Sequence, residues 1–172
     1  EDRGEILACD LYPSRLSLVE SGAVRLGLSS IRVRAADARV YDPALGRFDR
    51  VLCDVVCSGF GVIRRKPEIR YKDPNTLADL PAEQYNILCT ASNYLKKGGT
   101  LVYSTCTISP PENEACARAF LARHGEFEAA PLEAYLPGTL RERAAGGMLQ
   151  LFPHLDATEG FFLAKFQRRL AE

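Results

Sequence analysis

Cys57 and Cys106 are the residues of this chain best suited to chemistry. Cys57 lies in Asp54-Val55-Val56-Cys57-Ser58-Gly59 and Cys106 in Ser104-Thr105-Cys106-Thr107. Each motif follows an apolar run that predicts a buried strand, Phe48 to Leu52 before the first and Thr100 to Tyr103 before the second. In an open α/β sheet, ligands and reacting groups collect just past the carboxyl ends of parallel strands. The spacing therefore predicts two thiols and one carboxylate, Asp54, at one edge of one sheet. That set suits covalent catalysis, in which a thiolate attacks and a second thiol and an acid complete the cycle.

The elements that must position these groups alternate between strand and helix. Glu5–Cys9 reads as a strand ending at Asp10. Pro13 then opens a helix with Leu16, Val19, Ala23 and Leu26 on one face and Gly27 as its stop. Ile31–Ala35 is a second strand, ending near Asp37, and Phe48–Cys53 a third. A loop rich in glycine, proline and basic residues runs from Ser58 to Pro74. The pattern predicts a helix from about Pro81 to Lys97, halted by Gly98-Gly99, and a fourth strand over Thr100–Ser104. Ser109 and Glu112 have capping-box spacing with Pro110 at the first helical position, predicting a helix to about Arg123. Apolar segments near Phe127, Met148–Phe152 and Phe161–Phe166 read as a closing antiparallel ribbon. The expected fold is α/β, Rossmann-like, with a mostly parallel sheet.

Bulk properties exclude several classes. With 172 residues and 47% hydrophobic content, one globular domain with a sizeable core is expected. Charge is balanced, 22 basic against 22 acidic residues, so any polyanion binding must come from a local patch. Six cysteines in a chain this apolar need no disulfide framework, and the expected setting is a reducing cytoplasm. The polar start Glu1-Asp2-Arg3-Gly4 does not read as a signal peptide, and no apolar run reaches membrane-spanning length. With two histidines and no C-x-x-C pair, no metal site is expected. The spacing leaves the oligomeric state open.

Asp10 and Asp37 each close an early strand, where an acid in a dinucleotide-type fold bonds the ribose hydroxyls or adenine edge of a nucleotide-like cofactor. The competing role is a turn or helix-capping aspartate. Gly59-Phe60-Gly61 does not serve as a phosphate loop, because no helix start follows it. Cys106 is expected just before a helix N-terminus, whose dipole lowers a thiol pKa. Cys9, Cys53, Cys89 and Cys116 are expected to be inert buried thiols, and His124 and His154 to be structural. A cysteine hydrolase would need a histidine paired with Cys106, and no motif supplies one.

Thiolate addition to carbon 6 of a cytosine turns the ring into an enamine whose carbon 5 attacks an electrophilic methyl group. Cys106 suits the addition, Asp54 the pyrimidine edge at N3, and Cys57 the expulsion of product. The chain resembles the Sun/RsmB (Fmu) family of RNA cytosine-5 methyltransferases. The resemblance rests on Asp54-x-x-Cys57-Ser58-Gly59-x-Gly61-Val62-Ile63-Arg64-Arg65-Lys66-Pro67, on Tyr103-Ser104-Thr105-Cys106-Thr107-Ile108 and on Glu112-Asn113-Glu114. Pro153-His154 and Gly160-Phe161-Phe162 add to it, so that it extends from about Asp10 to Phe166. It implies S-adenosylmethionine as cofactor, Cys106 as nucleophile and Cys57 as the release cysteine. Asp10, Asp37 and Asp54 would contact the donor. DNA cytosine methyltransferases place the nucleophile in a Pro-Cys motif and carry a Glu-Asn-Val triplet; neither occurs here, so RNA is the expected substrate, ribosomal before transfer RNA.

Two departures from the family pattern bear on function. Val56 stands where the family has proline before the first cysteine, which predicts a looser loop around Cys57 and Asp54. The glycine-rich donor loop and its central strand are not among these residues. The expectation is a partial methyltransferase domain over residues 1–172 that by itself binds the donor weakly or not at all. Arg64, Arg65, Lys66 and Arg70, with Lys72 and Tyr71, follow the first cysteine motif directly and are expected to contact RNA phosphates rather than form an ordinary solvated loop. Arg141, Arg143, Arg168 and Arg169 read as ordinary surface. The competing function is a catalytically inactive methyltransferase-like domain that binds RNA or a protein partner.

Overall fold

The first four strands fall where the periodicity predicts, with a helix after the first and after the third. The computed structural model describes residues 2–170. The chain divides into two compact units, Glu1–Tyr41 and Asp42–Glu172. In the first, β1 (Ile6–Asp10) and β2 (Ile31–Ala35) pair in parallel, with Ile6 opposite Ile31 and Asp10 opposite Ala35. Helix α1 (Pro13–Leu26) packs against both strands and buries Leu16 and Ala23. Its start and stop are the predicted ones. Pro13 opens it, and Gly27 takes φ 66° at its end, where an L side chain would be strained.

The second unit carries the cysteine motifs. Strand β3 (Phe48–Asp54) pairs in parallel with β4 (Leu95–Thr105). β4 pairs antiparallel with β7 (Phe161–Arg168), whose far edge takes β5 (Phe127–Ala129) and β6 (Met148–Leu151), both antiparallel. The parallel strands and the closing ribbon are thus as expected. β1 and β3 lie in separate sheets and do not pair with each other.

Helices α2 (Leu80–Ser92) and α3 (Glu114–Arg123) pack on each other, α2 also against β3 and β4, and α3 against β5. The core between them is built on Leu88, Leu101, Tyr103, Phe120 and Phe166, all 0% exposed. Phe120 is its hub, with the Phe127 and Phe166 rings each 5.1 Å away. Burying an aromatic side chain of this kind contributes about 1.5–3 kcal/mol. Among the described residues, no helix is long and apolar enough to cross a membrane.

Two regions differ from the prediction. α2 ends at Ser92 rather than near Lys97, and β4 begins at Leu95 rather than Thr100. The polar Lys96-Lys97-Gly98-Gly99 stretch is a strand irregularity. Leu95 pairs with Phe48, the register then slips, and pairing resumes at Arg50 with Thr100. A fully buried Leu95 anchors the strand on the far side of that slip.

The second difference concerns α3, which starts at Glu114 and not at Ser109. Pro110 and Pro111 lie in turns closed by Glu112 N–H to the Ser109 carbonyl (3.1 Å) and Asn113 N–H to the Pro110 carbonyl (3.2 Å). Asn113, with φ −107° and ψ −102°, is not helical. The Glu112 side chain makes no capping box; it is buried and points elsewhere.

Candidate active site

Parallel pairing of β3 with β4 puts Asp54 opposite Ser104, and both cysteine loops leave from those two strand ends. The Ser104 hydroxyl donates to Asp54 Oδ1 at 2.7 Å, which orients the carboxylate and leaves Oδ2 without a partner among the described residues. Cys57 and Cys106, distant in sequence, come together with their sulfurs 3.2 Å apart, both half-buried.

The contact between the thiols makes them unequal. A hydrogen bond from the Cys57 S–H lowers the Cys106 thiol pKa to about 7, against desolvation and the Asp54 charge. The Cys106 backbone N–H and Lys66 help to hold it there. Donating that proton, together with burial, pushes the Cys57 thiol upward. Cys106 is therefore the more easily ionised thiol, and a helix dipole is not the cause. The helix that was to supply a dipole begins only at Glu114, and a neighbouring thiol performs that role.

The chain holds the Cys57 loop from both sides. The Val56 carbonyl accepts from Gln84 Nε2 at 2.9 Å. Ser58 is fully buried; its N–H and hydroxyl both donate to the Glu112 carboxylate, and its carbonyl accepts from Lys72 Nζ at 2.8 Å. Gly61 closes the arrangement. Its N–H donates to the Cys106 carbonyl (3.0 Å) and its carbonyl accepts from Gly160 N–H (2.9 Å). A Cβ on Gly61 would lie 1.9 Å from the Gly160 oxygen, so only glycine permits this approach.

The Cys106 loop is held separately. Asn113, 1% exposed, accepts from Thr105 Oγ1 (2.6 Å) and donates to the Thr107 carbonyl (2.9 Å) and to Gln150 Oε1 (2.6 Å). Sequence reading missed the roles of Glu112, Gln84, Asn113 and Ser104. Its one usable signal was the Glu112-Asn113-Glu114 motif, where the cap spacing pointed to a helix end instead.

The remaining site residues divide by position. In the first unit, Asp10 Oδ1 accepts from Tyr12 N–H (2.8 Å), and Arg15 lies 3.6 Å from Oδ2. Asp37 is bonded through both oxygens to Arg39, which holds its carboxyl down to about 2. Asp54, Cys57 and Cys106 form their constellation in the second unit. In the basic loop, Arg64 and Lys66 are exposed, Arg65 pairs with Glu159 (3.2 Å), and Arg70 Nε donates to the Pro67 carbonyl (3.2 Å). Lys72 turns inward to Ser58.

Of the other cysteines, Cys53 and Cys116 are buried, with thiols pushed up to about 12 and about 11. Cys9 is exposed and Cys89 half-buried, contrary to expectation. Cys9 lies on β1, none of whose residues is fully buried, and Cys89 rests 3.3 Å from His124 Nε2 at the rim of the core. The His124 ring stacks on Phe120 at 4.4 Å, a structural role. Arg143 is bonded to Asp156 and to the Gln150 carbonyl, and Arg168 to the Leu95 carbonyl, so both brace the fold.

The chain is similar to several known proteins. The chain is 40% identical over 173 residues to the probable ribosomal RNA small subunit methyltransferase B of Bacillus subtilis, covering 98% of this chain and 39% of that protein. It is 35% identical to the ribosomal RNA small subunit methyltransferase F of Erwinia tasmaniensis, covering 97% of this chain and 36% of that one. The chain thus spans about two fifths of the length of the curated relatives it matches. Among solved structures it superposes on PH0851 with a TM-score of 0.86 at 32% identity, covering 97% of this chain and 38% of that one. NSun6 from Pyrococcus horikoshii with SFG gives a TM-score of 0.83 at 27% identity, covering 99% and 43%. A family model described as 16S rRNA methyltransferase RsmB/F matches residues 1–167, and with the two cysteine loops on adjacent strand ends the chain belongs to that family.

Proposed function

We propose that the full-length protein is an S-adenosylmethionine-dependent RNA (cytosine-5)-methyltransferase acting on small-subunit ribosomal RNA, and that Cys106, Cys57 and Asp54 carry its chemistry. We further propose that residues 1–172 form part of its catalytic domain, with the glycine-rich donor loop elsewhere in the protein. The observation that carries the reading is the 3.2 Å approach of the Cys57 and Cys106 sulfurs beside the free oxygen of Asp54.

In this reading the Cys106 thiolate adds to carbon 6 of cytosine and makes carbon 5 nucleophilic. Asp54 Oδ2 holds the pyrimidine edge as N3 gains charge. S-adenosylmethionine, when bound, supplies an electrophilic methyl group. The ionised Cys57 thiol then takes the carbon 5 proton as the Cys106 sulfur departs as a thiolate, which restores the ring. The inequality of the thiols supports this order. Cys57 keeps its proton while Cys106 is a thiolate; once the Cys106 sulfur is bonded to carbon, that hydrogen bond no longer holds the Cys57 pKa up. Addition by one cysteine thus readies the other.

The donor carboxylates fit the role in unequal measure. Asp54 has an oxygen free. Asp10 and Asp37 already accept from Tyr12 and Arg39, so ribose hydroxyls would share their remaining acceptor positions. Arg64, Arg65, Lys66 and Arg70 would meet RNA phosphates in the same protein, which works in the cytoplasm on this reading.

The test is adduct trapping with 5-fluorocytidine-containing RNA and S-adenosylmethionine. A denaturant-stable adduct with the full-length protein, absent in Cys106→Ala, is the expected result. Folded full-length protein that yields none with 16S RNA fragments would move the function to an inactive, RNA- or protein-binding domain.

A further inference from the structure

Glu112 is a carboxylate only 3% exposed, and its side chain makes no ion pair among the described residues. Burying such a group is costly unless hydrogen bonds satisfy it. Here they come from the Cys57 loop. Ser58 N–H donates to Oε2 at 2.8 Å, Gln84 Nε2 to the same oxygen at 2.9 Å, and the Ser58 hydroxyl to Oε1 at 2.6 Å. The Glu112 main chain is itself fixed by the Tyr103 hydroxyl, which donates to its carbonyl at 2.6 Å.

The residues on both sides of Cys57 thus depend on one carboxylate: Ser58 directly, and Val56 through Gln84. Gln84 is fully buried, and its Oε1 has no partner among the described residues. That uncompensated group is tolerated where the amide must face both the Val56 carbonyl and Glu112, and unmet polar groups of this kind collect at functional sites. The Cys106 loop is held by other contacts, from Asn113 and Gln150. It meets the Cys57 loop at Gly61, whose N–H donates to the Cys106 carbonyl, and at the 2.7 Å contact between the Thr107 and Ser58 hydroxyls. Because the Ser58 proton already goes to Glu112, Thr107 donates there.

We propose that Glu112 is a positioning residue for Cys57: it sets the release thiol against the Cys106 sulfur and so controls elimination rather than addition. This rests on the roles given above to Cys106 and Cys57. Without Glu112, three donors lose their acceptor and the Cys57 loop shifts, while the Cys106 loop keeps its own anchors. A misplacement of about 1 Å can cost a hundredfold in rate.

The experiment uses full-length protein, S-adenosylmethionine and transcribed 16S RNA with ordinary cytidine, at a pH where Cys106 is ionised without help from Cys57. Cys57→Ala is expected to accumulate a denaturant-stable adduct, because the ring stays bonded to Cys106. Glu112→Ala is expected to do the same, with turnover lowered by about tenfold to a hundredfold. Glu112→Gln should restore release, since its amide oxygen still accepts from Ser58 and Gln84 while its NH2 donates to a reversed Ser58 hydroxyl.

The proposal is overturned if folded Glu112→Ala turns over like the parent without adduct, or loses the adduct to 5-fluorocytidine RNA as well. It is also overturned if Glu112→Gln is as defective as Glu112→Ala, which would make charge the requirement. If Glu112→Ala does not fold, Ser58→Ala and Gln84→Ala decide, and no adduct in either rejects the role. Failure of the parent to trap 5-fluorocytidine RNA is a separate result that removes the function itself.

Discussion

Cys106 illustrates how one hydrogen bond favours a thiolate. A thiolate is reactive and a thiol is not, so a pKa lowered to about 7 predicts reactivity that rises near that pH. Alkylation of Cys106 by iodoacetamide, followed by peptide mass spectrometry, should be slow below that pH and rise to a plateau above it. In Cys57→Ala the S–H donor is gone, so the midpoint should move upward toward the ordinary thiol value of 9.0. An unmoved midpoint would mean that Lys66 or the backbone, not Cys57, ionises Cys106. Cys53 and Cys116 provide internal controls, because burial keeps both protonated throughout this range.

Strand pairing brings the motifs to one edge, but their spacing is set where the loops after β3 and β4 meet the chain entering β7. Gly61 and Gly160 allow that meeting. Gly61→Ala would force a Cβ to within 1.9 Å of one backbone oxygen and 2.7 Å of another, on Cys106. Neither neighbour is a flexible side chain, so the loops must separate. The expected cost is about 1–3 kcal/mol, read as a lower thermal midpoint, together with loss of the 5-fluorocytidine adduct. Gly125→Ala, where an added Cβ meets nothing within 4 Å, should leave both unchanged. The same meeting shows why the capping-box expectation failed. Ser109 and Glu112 had the right types and spacing, but a buried Ser58 with two donors competes for the carboxylate and wins because its donors would otherwise be orphaned.

For the whole molecule, net charge is zero, so the proposed RNA affinity must come from a patch, and exposed Arg64 and Arg70 of the loop after Cys57 are the candidates. Arg64→Ala with Arg70→Ala, in the full-length protein, should weaken RNA binding and flatten the dependence of log affinity on log salt. The slope should fall by about 0.7 for each phosphate no longer neutralised. Equal slopes for variant and parent would show that this loop is merely solvated. Lys72 should behave differently: tied to the Ser58 carbonyl, it is a brace, and its loss should register in stability before salt dependence.

The alternating elements, the two strand ends with their cysteines and the antiparallel close were legible in the sequence, because apolar periodicity and local turn chemistry are properties of neighbouring residues. So was the meeting of the Cys57 and Cys106 loops at adjacent strand ends, since each motif follows an apolar strand. The source of the low Cys106 pKa, the inward turn of Glu112 and the need for glycine at 61 were not. Each depends on groups far apart in the chain: Cys57 with Cys106, Ser58 with Glu112, Gly61 with Gly160. Hydrogen bonds and steric contacts act over a few ångströms whatever the separation in sequence. Only the tertiary structure decided which of the possible partners came within reach.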